Sequence, residues 1–141
     1  GQYPTCAKKG SCTNESVTDH TLFTATGRPW SPSGMPGSAQ QVKAIQAEIL
    51  RNGPVEVGIS LFSDFAAYSK GIYQLTVNES YGGGHAVEII GWGTEGGVDY
   101  WTVQNTYGTQ WGEDGYFRIR RGTNEIGIEQ EVIAGTVVVP N

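Results

Sequence analysis

His85 stands directly behind Gly82, Gly83 and Gly84 in the stretch YGGGHAVEIIGWG, in a chain of 141 residues with two histidines. Consecutive glycines let a backbone come close to another group and leave the ring uncrowded. Further along, VQNTYGTQWGEDGYF presents Asn105 in a polar, aromatic turn that two neighbouring strands could bring beside the imidazole. An imidazole that acts first as base and then as acid needs its second nitrogen held in one tautomer, and a carboxamide oxygen can hold it without adding a full charge. His85 and Asn105 are therefore a candidate acid–base pair, and the nucleophile they would serve has to be sought elsewhere. A metal centre is a poor alternative, because His20, His85, Cys6 and Cys12 have no useful ligand spacing. Neither a metal nor an organic cofactor is expected.

The elements that must position this pair follow from periodicity. Residues 1–37 form a polar stretch punctuated by Gly and Pro, which reads as a long loop-rich lead. From Ser38 the character changes. Ser38 is a helix N-cap with Gln41 at the third helical position, Val42, Ile45 and Ile49 recur at helical spacing, and Gly53 with Pro54 ends the segment. One main helix over about 38–52 is expected. Period-two or short apolar runs follow at 55–61, 85–93, 99–107, 115–121 and 131–139, with a helical turn and a further short strand within 63–73. We read the whole chain, 1–141, as a single α+β domain on a mostly antiparallel sheet or barrel-like core, with 38–141 holding the helix and the β-rich part.

Bulk properties narrow the function. A net charge of -5, from 14 acidic and 9 basic residues without a run of either, supplies no basic stripe for nucleic acid. No stretch is apolar for long enough to span a bilayer, and the first residues lack a basic-then-apolar targeting pattern. Cys6 and Cys12, in CAKKGSC, do not form a zinc clip and read as disulfide cysteines, the partner of each left open. Two Asn-x-Ser acceptors, at Asn14 and Asn78, point with them to an oxidising, secretory route.

Several motifs in collinear order resemble the papain-family cysteine peptidases, in particular their cathepsin B-like branch. These are AEILRNGPVEVGISLFSDFAAYSKGIY, GGGHAVEIIGWG, NTYGTQWGEDGYF and GTNEIGIEQEVIAG, and the likeness covers the C-terminal, right-hand half of such an enzyme. The resemblance implies that His85 is the catalytic imidazole and Asn105 the residue that orients it. Tyr107 takes the place of the tryptophan that usually covers their hydrogen bond, Thr106 stands where serine is usual, and Trp111 matches the second tryptophan, packed beneath the turn. Gly84 belongs to the histidine strand. The resemblance also places Glu129 at the bottom of the pocket for the second residue before the scissile bond, with Gly58 and Ala86 as small wall residues that leave the pocket roomy. A carboxylate there would admit arginine as well as apolar side chains.

The nucleophile segment of the family, of the type Cys-Gly-Ser-Cys-Trp, has no counterpart here. With the histidine about 130 to 150 residues beyond the cysteine, the thiol is expected roughly 45 to 65 residues before Gly1, upstream or on a companion light chain. The family's occluding loop, with its paired histidines, corresponds to the stretch between Cys6 and Ser38, which holds only His20. The resemblance thus implies an endopeptidase rather than a dipeptide-trimming enzyme. It also implies protein or peptide substrates, a thiol-bearing partner segment, a propeptide or protein inhibitors, and a lysosomal, vacuolar or secreted setting. The competing expectation is a noncatalytic binding or scaffold protein that keeps the papain fold.

Overall fold

The computed structural model describes residues 24–25, 32–76, 78–135 and 137–138. Cys6, Cys12, Asn14 and His20 lie outside them. The chain divides into two compact units, of which Trp30–Ala134 holds the helix and the main sheet. In the other, strands β1 (Thr24–Ala25) and β8 (Val137–Val138) pair antiparallel, with Thr24 opposite Val138.

Helix α1 spans Ala39–Asn52. Ser38 caps it as the sequence anticipates, its Oγ accepting from the Gln41 backbone N–H at 3.2 Å, which satisfies one of the amides that the first turn leaves without an internal partner. Gln41 reaches back one residue further than a capping box, to the Gly37 N–H (3.0 Å). Gly53, at φ 103°, closes the other end by donating to the Ile49 carbonyl. The helix packs Val42 and Ile45 towards β2 (Val55–Phe62) and β4 (Tyr81–Glu95).

Six strands make a mixed sheet in the order β3-β6-β5-β4-β2-β7. The remaining ranges are β3 Ile72–Tyr73, β5 Val98–Gln104, β6 Tyr116–Arg120 and β7 Glu131–Ile133. All neighbours are antiparallel except β3 with β6. The sheet stays open. Its two edges, β3 and β7, are two and three residues long and unpaired with one another, so the barrel-like alternative gives way to an open α+β sheet. Two of the expected strands also end early. The 99–107 run leaves the ladder after Gln104, and the 131–139 run breaks after Ile133, its tail pairing with β1 instead.

The core follows the period-two pattern. Val55, Val57 and Ile59 of β2, Val87 and Ile89 of β4, Trp101 and Val103 of β5 and Phe117 and Ile119 of β6 are all buried with Ile45, Phe65, Ile128 and Val132. Burying each such side chain contributes about 1.5–3 kcal/mol relative to leaving it in water. Strand β4 is the spine. It is 15 residues long, with one half paired to β2, the other to β5, and a register irregularity between Ile89 and Gly91 where the change occurs. It turns into β5 through Gly96 and Gly97, both at positive φ (58° and 81°), the backbone that a two-residue hairpin of matching twist requires.

Candidate active site

Strand β4 carries His85 opposite Ile59, in the half paired to β2. Asn105 begins the turn that follows β5, the other neighbour of β4, so the sheet itself brings the two together. His85 Nε2 lies 2.9 Å from Asn105 Oδ1. The backbone N–H of Thr106 also donates to Oδ1, at 2.8 Å, which identifies that atom as the carbonyl oxygen of the amide. An oxygen can only accept, so Nε2 carries the hydrogen and Nδ1 keeps its lone pair.

The Asn105 turn is tied at several points. Asn105 N–H donates to the Gly115 carbonyl (3.0 Å), Trp111 N–H to Gly108, and Gly115 N–H to Trp111. Arg118 of β6 grips Glu113 with two nitrogens (2.9 and 2.8 Å) and Glu95 with a third contact (2.8 Å). The Arg118 side-chain hydrogen bonds hold the Glu113 carboxyl below the ordinary carboxylate range, overcoming the opposing effect of burial. Glu113 also accepts from the Gly71 N–H (2.8 Å), which fastens the turn to the segment before β3.

Tyr107 stacks on the His85 ring. Its ring is nearly parallel to the imidazole (24°), with centroids 5.2 Å apart, and Trp111 meets Tyr107 edge-on at 5.2 Å. Trp111 packs on Phe65 and Tyr68 as well, and its indole N–H donates to the Ala66 carbonyl. Asn105 is 7% exposed, and its Nδ2 is a buried donor with no partner among the described residues.

On its open side His85 faces a cavity of about 470 Å³. Gly58, Gly84 and Ala86 line it together with His85, and no atom lies within 4 Å of where a side chain at Gly84 would begin. Gly58, Gly84 and Ala86 all lie on the cavity wall. Glu129 does not. It is completely buried, off the cavity, with its carboxylate taken up by the Trp101 indole N–H (2.8 Å) and the backbone N–H groups of Gly122 and Asn124 (both 2.7 Å). The acids on the cavity wall are Glu56 and Glu131; Glu131 is the cross-strand partner of Gly58, and a Cβ at position 58 would sit 3.0 Å from its Oε2. Glu131, Gly58 and Ala86 thus form one row across β7, β2 and β4. Strand alternation was the signal available in GIEQEV: Val132 points into the core, so Glu131 must point out. Ile126, Gly127 and Gln130 complete that wall. Asn78, the remaining glycan acceptor, is exposed on a turn at φ 72°.

Among the described residues no helix is long and apolar enough to cross a membrane, and no cluster of three or more His, Cys, Asp or Glu could hold a metal ion.

A carboxamide-steered imidazole, open on one side to a cavity, is a geometry that general acid–base chemistry can use. The profile described as "Papain family cysteine protease" matches residues 1–136, and the chain belongs to that family. Among curated relatives it is 42% identical over 133 residues to "Cathepsin B-like cysteine proteinase 6" of Caenorhabditis elegans, covering 94% of this chain and 34% of that protein. It is 54% identical over 92 residues to "Cathepsin B-like protease 1" of Arabidopsis thaliana, covering 64% of this chain and 24% of that protein. A solved structure, "proCathepsin B S9 from Trypanosoma congolense", superposes with a TM-score of 0.66 at 40% identity, covering 70% of this chain and 33% of the other. The chain therefore spans about a third or less of the length of these relatives.

Proposed function

We propose that this chain is the acid–base and recognition half of a cathepsin B-like cysteine endopeptidase. His85 and Asn105 are its catalytic pair, and the thiol comes from a segment upstream or on a companion chain. The observation that carries the proposal is the contact at 2.9 Å between His85 Nε2 and Asn105 Oδ1, with the Thr106 N–H fixing the amide. It leaves Nδ1 free on the cavity side as the base. Nδ1 takes the thiol proton, the thiolate attacks the peptide carbonyl carbon, and the imidazolium returns the proton to the leaving amine. Water, deprotonated by the same nitrogen, then releases the acyl group.

For the substrate, we move the pocket carboxylate from Glu129 to Glu131. Glu129 is fully buried with three N–H donors on its carboxylate and does not line the cavity, whereas Glu131 lies on the wall with Gly58 and Ala86. Arginine or an apolar side chain fits a roomy pocket that carries Glu131 beside its two small wall residues, with Glu56 further along the same face of β2. The procathepsin relative supports a propeptide as a partner. The endopeptidase mode, a glycan on exposed Asn78 and a lysosomal, vacuolar or secreted setting belong to the same proposal.

The test uses the full-length protein that carries this chain. A thiol-directed epoxide should label one cysteine stoichiometrically, and His85→Ala should lower kcat/KM on peptide substrates by on the order of 10²–10⁴. A folded protein with no labelled thiol and no cleavage would instead establish the noncatalytic scaffold, and cleavage indifferent to His85 would remove the histidine from the catalytic pair.

A further inference from the structure

Glu129 is left over from the recognition site, and its surroundings are unusual for a carboxylate. It is 0% exposed, and no cation pairs with it among the described residues. A buried charge persists only where hydrogen bonds replace its water. Here Oε1 accepts from the Trp101 indole and from the Gly122 N–H, and Oε2 accepts from the Asn124 N–H. Its backbone joins in. The Glu129 N–H donates to Asn124 Oδ1 (3.0 Å), and its carbonyl accepts from Gln41 Nε2 of α1 (2.5 Å).

These five bonds converge on a segment whose backbone is strained. Asn124 (φ 51°) and Ile126 (φ 46°, ψ 23°) both lie in the left-handed region. Asparagine tolerates that conformation, but a β-branched isoleucine is a genuine outlier and persists only where its surroundings dictate it. The result of holding it there is visible at the cavity, since Ile126, Gly127, Gln130 and Glu131 are the wall that faces Gly58 and Ala86.

We propose that Glu129 is the positioning residue of the specificity pocket: its buried carboxylate, anchored on Trp101, holds the 122–130 segment in the strained form that places Ile126 and Glu131 on the cavity wall. It touches no substrate and acts through the residues it holds. This inference rests on the peptidase reading above.

The experiment measures kcat and KM of the full-length enzyme, per active site titrated with an irreversible thiol reagent, on peptides differing only at the second residue before the scissile bond: arginine, leucine or glycine. Glu129→Gln puts an NH₂ donor against at least one of the three N–H donors. KM for the arginine and leucine peptides should rise fivefold or more, while KM for the glycine peptide and kcat for all three stay within twofold. Trp101→Phe removes one donor and keeps a ring in the core, and it should shift the same two KM values in the same direction by less. If Glu129→Gln does not fold, Trp101→Phe decides alone. Equal KM changes on all three peptides, a change confined to thermal stability, or unaltered KM in Trp101→Phe overturns the inference while leaving the peptidase standing. Failure of the parent enzyme to cleave any of them through a thiol overturns both.

Discussion

At the level of single residues, the ring stacked on His85 separates shielding from chemistry. Tyr107 is 44% exposed and covers one side of the histidine–asparagine contact from water. Its hydroxyl makes none of the hydrogen bonds found among the described residues, so only the ring face matters. Tyr107→Phe should leave kcat/KM unchanged, whereas Tyr107→Ala should lower it about two- to tenfold, the range corresponding to the net worth of one hydrogen bond, about 0.5–1.5 kcal/mol. Steady-state kinetics on titrated enzyme distinguishes the two. Glu131 gives a second prediction. Glu131→Gln should reduce the preference for arginine over leucine in the pocket by about fivefold, because an ion pair formed at a solvent-facing carboxylate is worth about 1 kcal/mol at most. That His85 and Asn105 would meet was legible in the sequence because glycines and aromatics flank them in a distinctive order. Which glutamate faces the cavity was not, because two glutamates two residues apart look alike until it is known where the strand begins. Glu129 lies before β7 and is drawn inwards by Trp101, while Glu131 opens the strand and faces out.

At the level of elements, helix α1 was readable to within a residue because its cap, its apolar spacing and its terminating glycine all agree. Ser38→Ala should cost about 1 kcal/mol of stability, read as a lower urea midpoint at unchanged slope. The strands were readable as segments, but their partners were not, since pairing depends on register that local pattern does not carry. Only the register shows that Glu56 of β2 and Glu88 of β4 are direct cross-strand partners, both exposed. Like charges so placed oppose pairing, and an opposite pair contributes roughly 0.2–1 kcal/mol. Glu88→Arg should therefore raise the urea midpoint at low salt, and the gain should shrink at 1 M salt, where screening shortens the reach of surface charge to about 3 Å. A midpoint that falls would mean that the two carboxylates do not face one another in solution.

For the molecule as a whole, two carboxylates tie stability to pH. Burial alone would raise the Asp64 carboxyl, but hydrogen bonds from Tyr73 and Thr76 outweigh it and leave it below the ordinary range. Glu113 is lowered as well, by the hydrogen bonds from Arg118. A carboxyl with a lowered folded value releases its proton more readily when folded than when unfolded. Its stabilisation is complete above the unfolded value, about 4, and is lost as pH falls through the folded one. Both groups fasten one segment to another: Asp64 holds Tyr73 of β3 and Thr76 just beyond it, and Glu113 ties the turn that begins with Asn105 to Gly71. At about pH 5 both remain ionised. Below that the two should act together, with the urea midpoint dropping between about pH 5 and pH 2. In Glu113→Gln the midpoint should be lower at pH 7, fall less steeply on acidification, and converge with the parent near pH 2, where the parent's own carboxylate is protonated. A difference that stayed constant across the whole range would show that Glu113 acts by packing rather than by charge, and that the Asn105 turn is fixed by its glycines and aromatic rings instead.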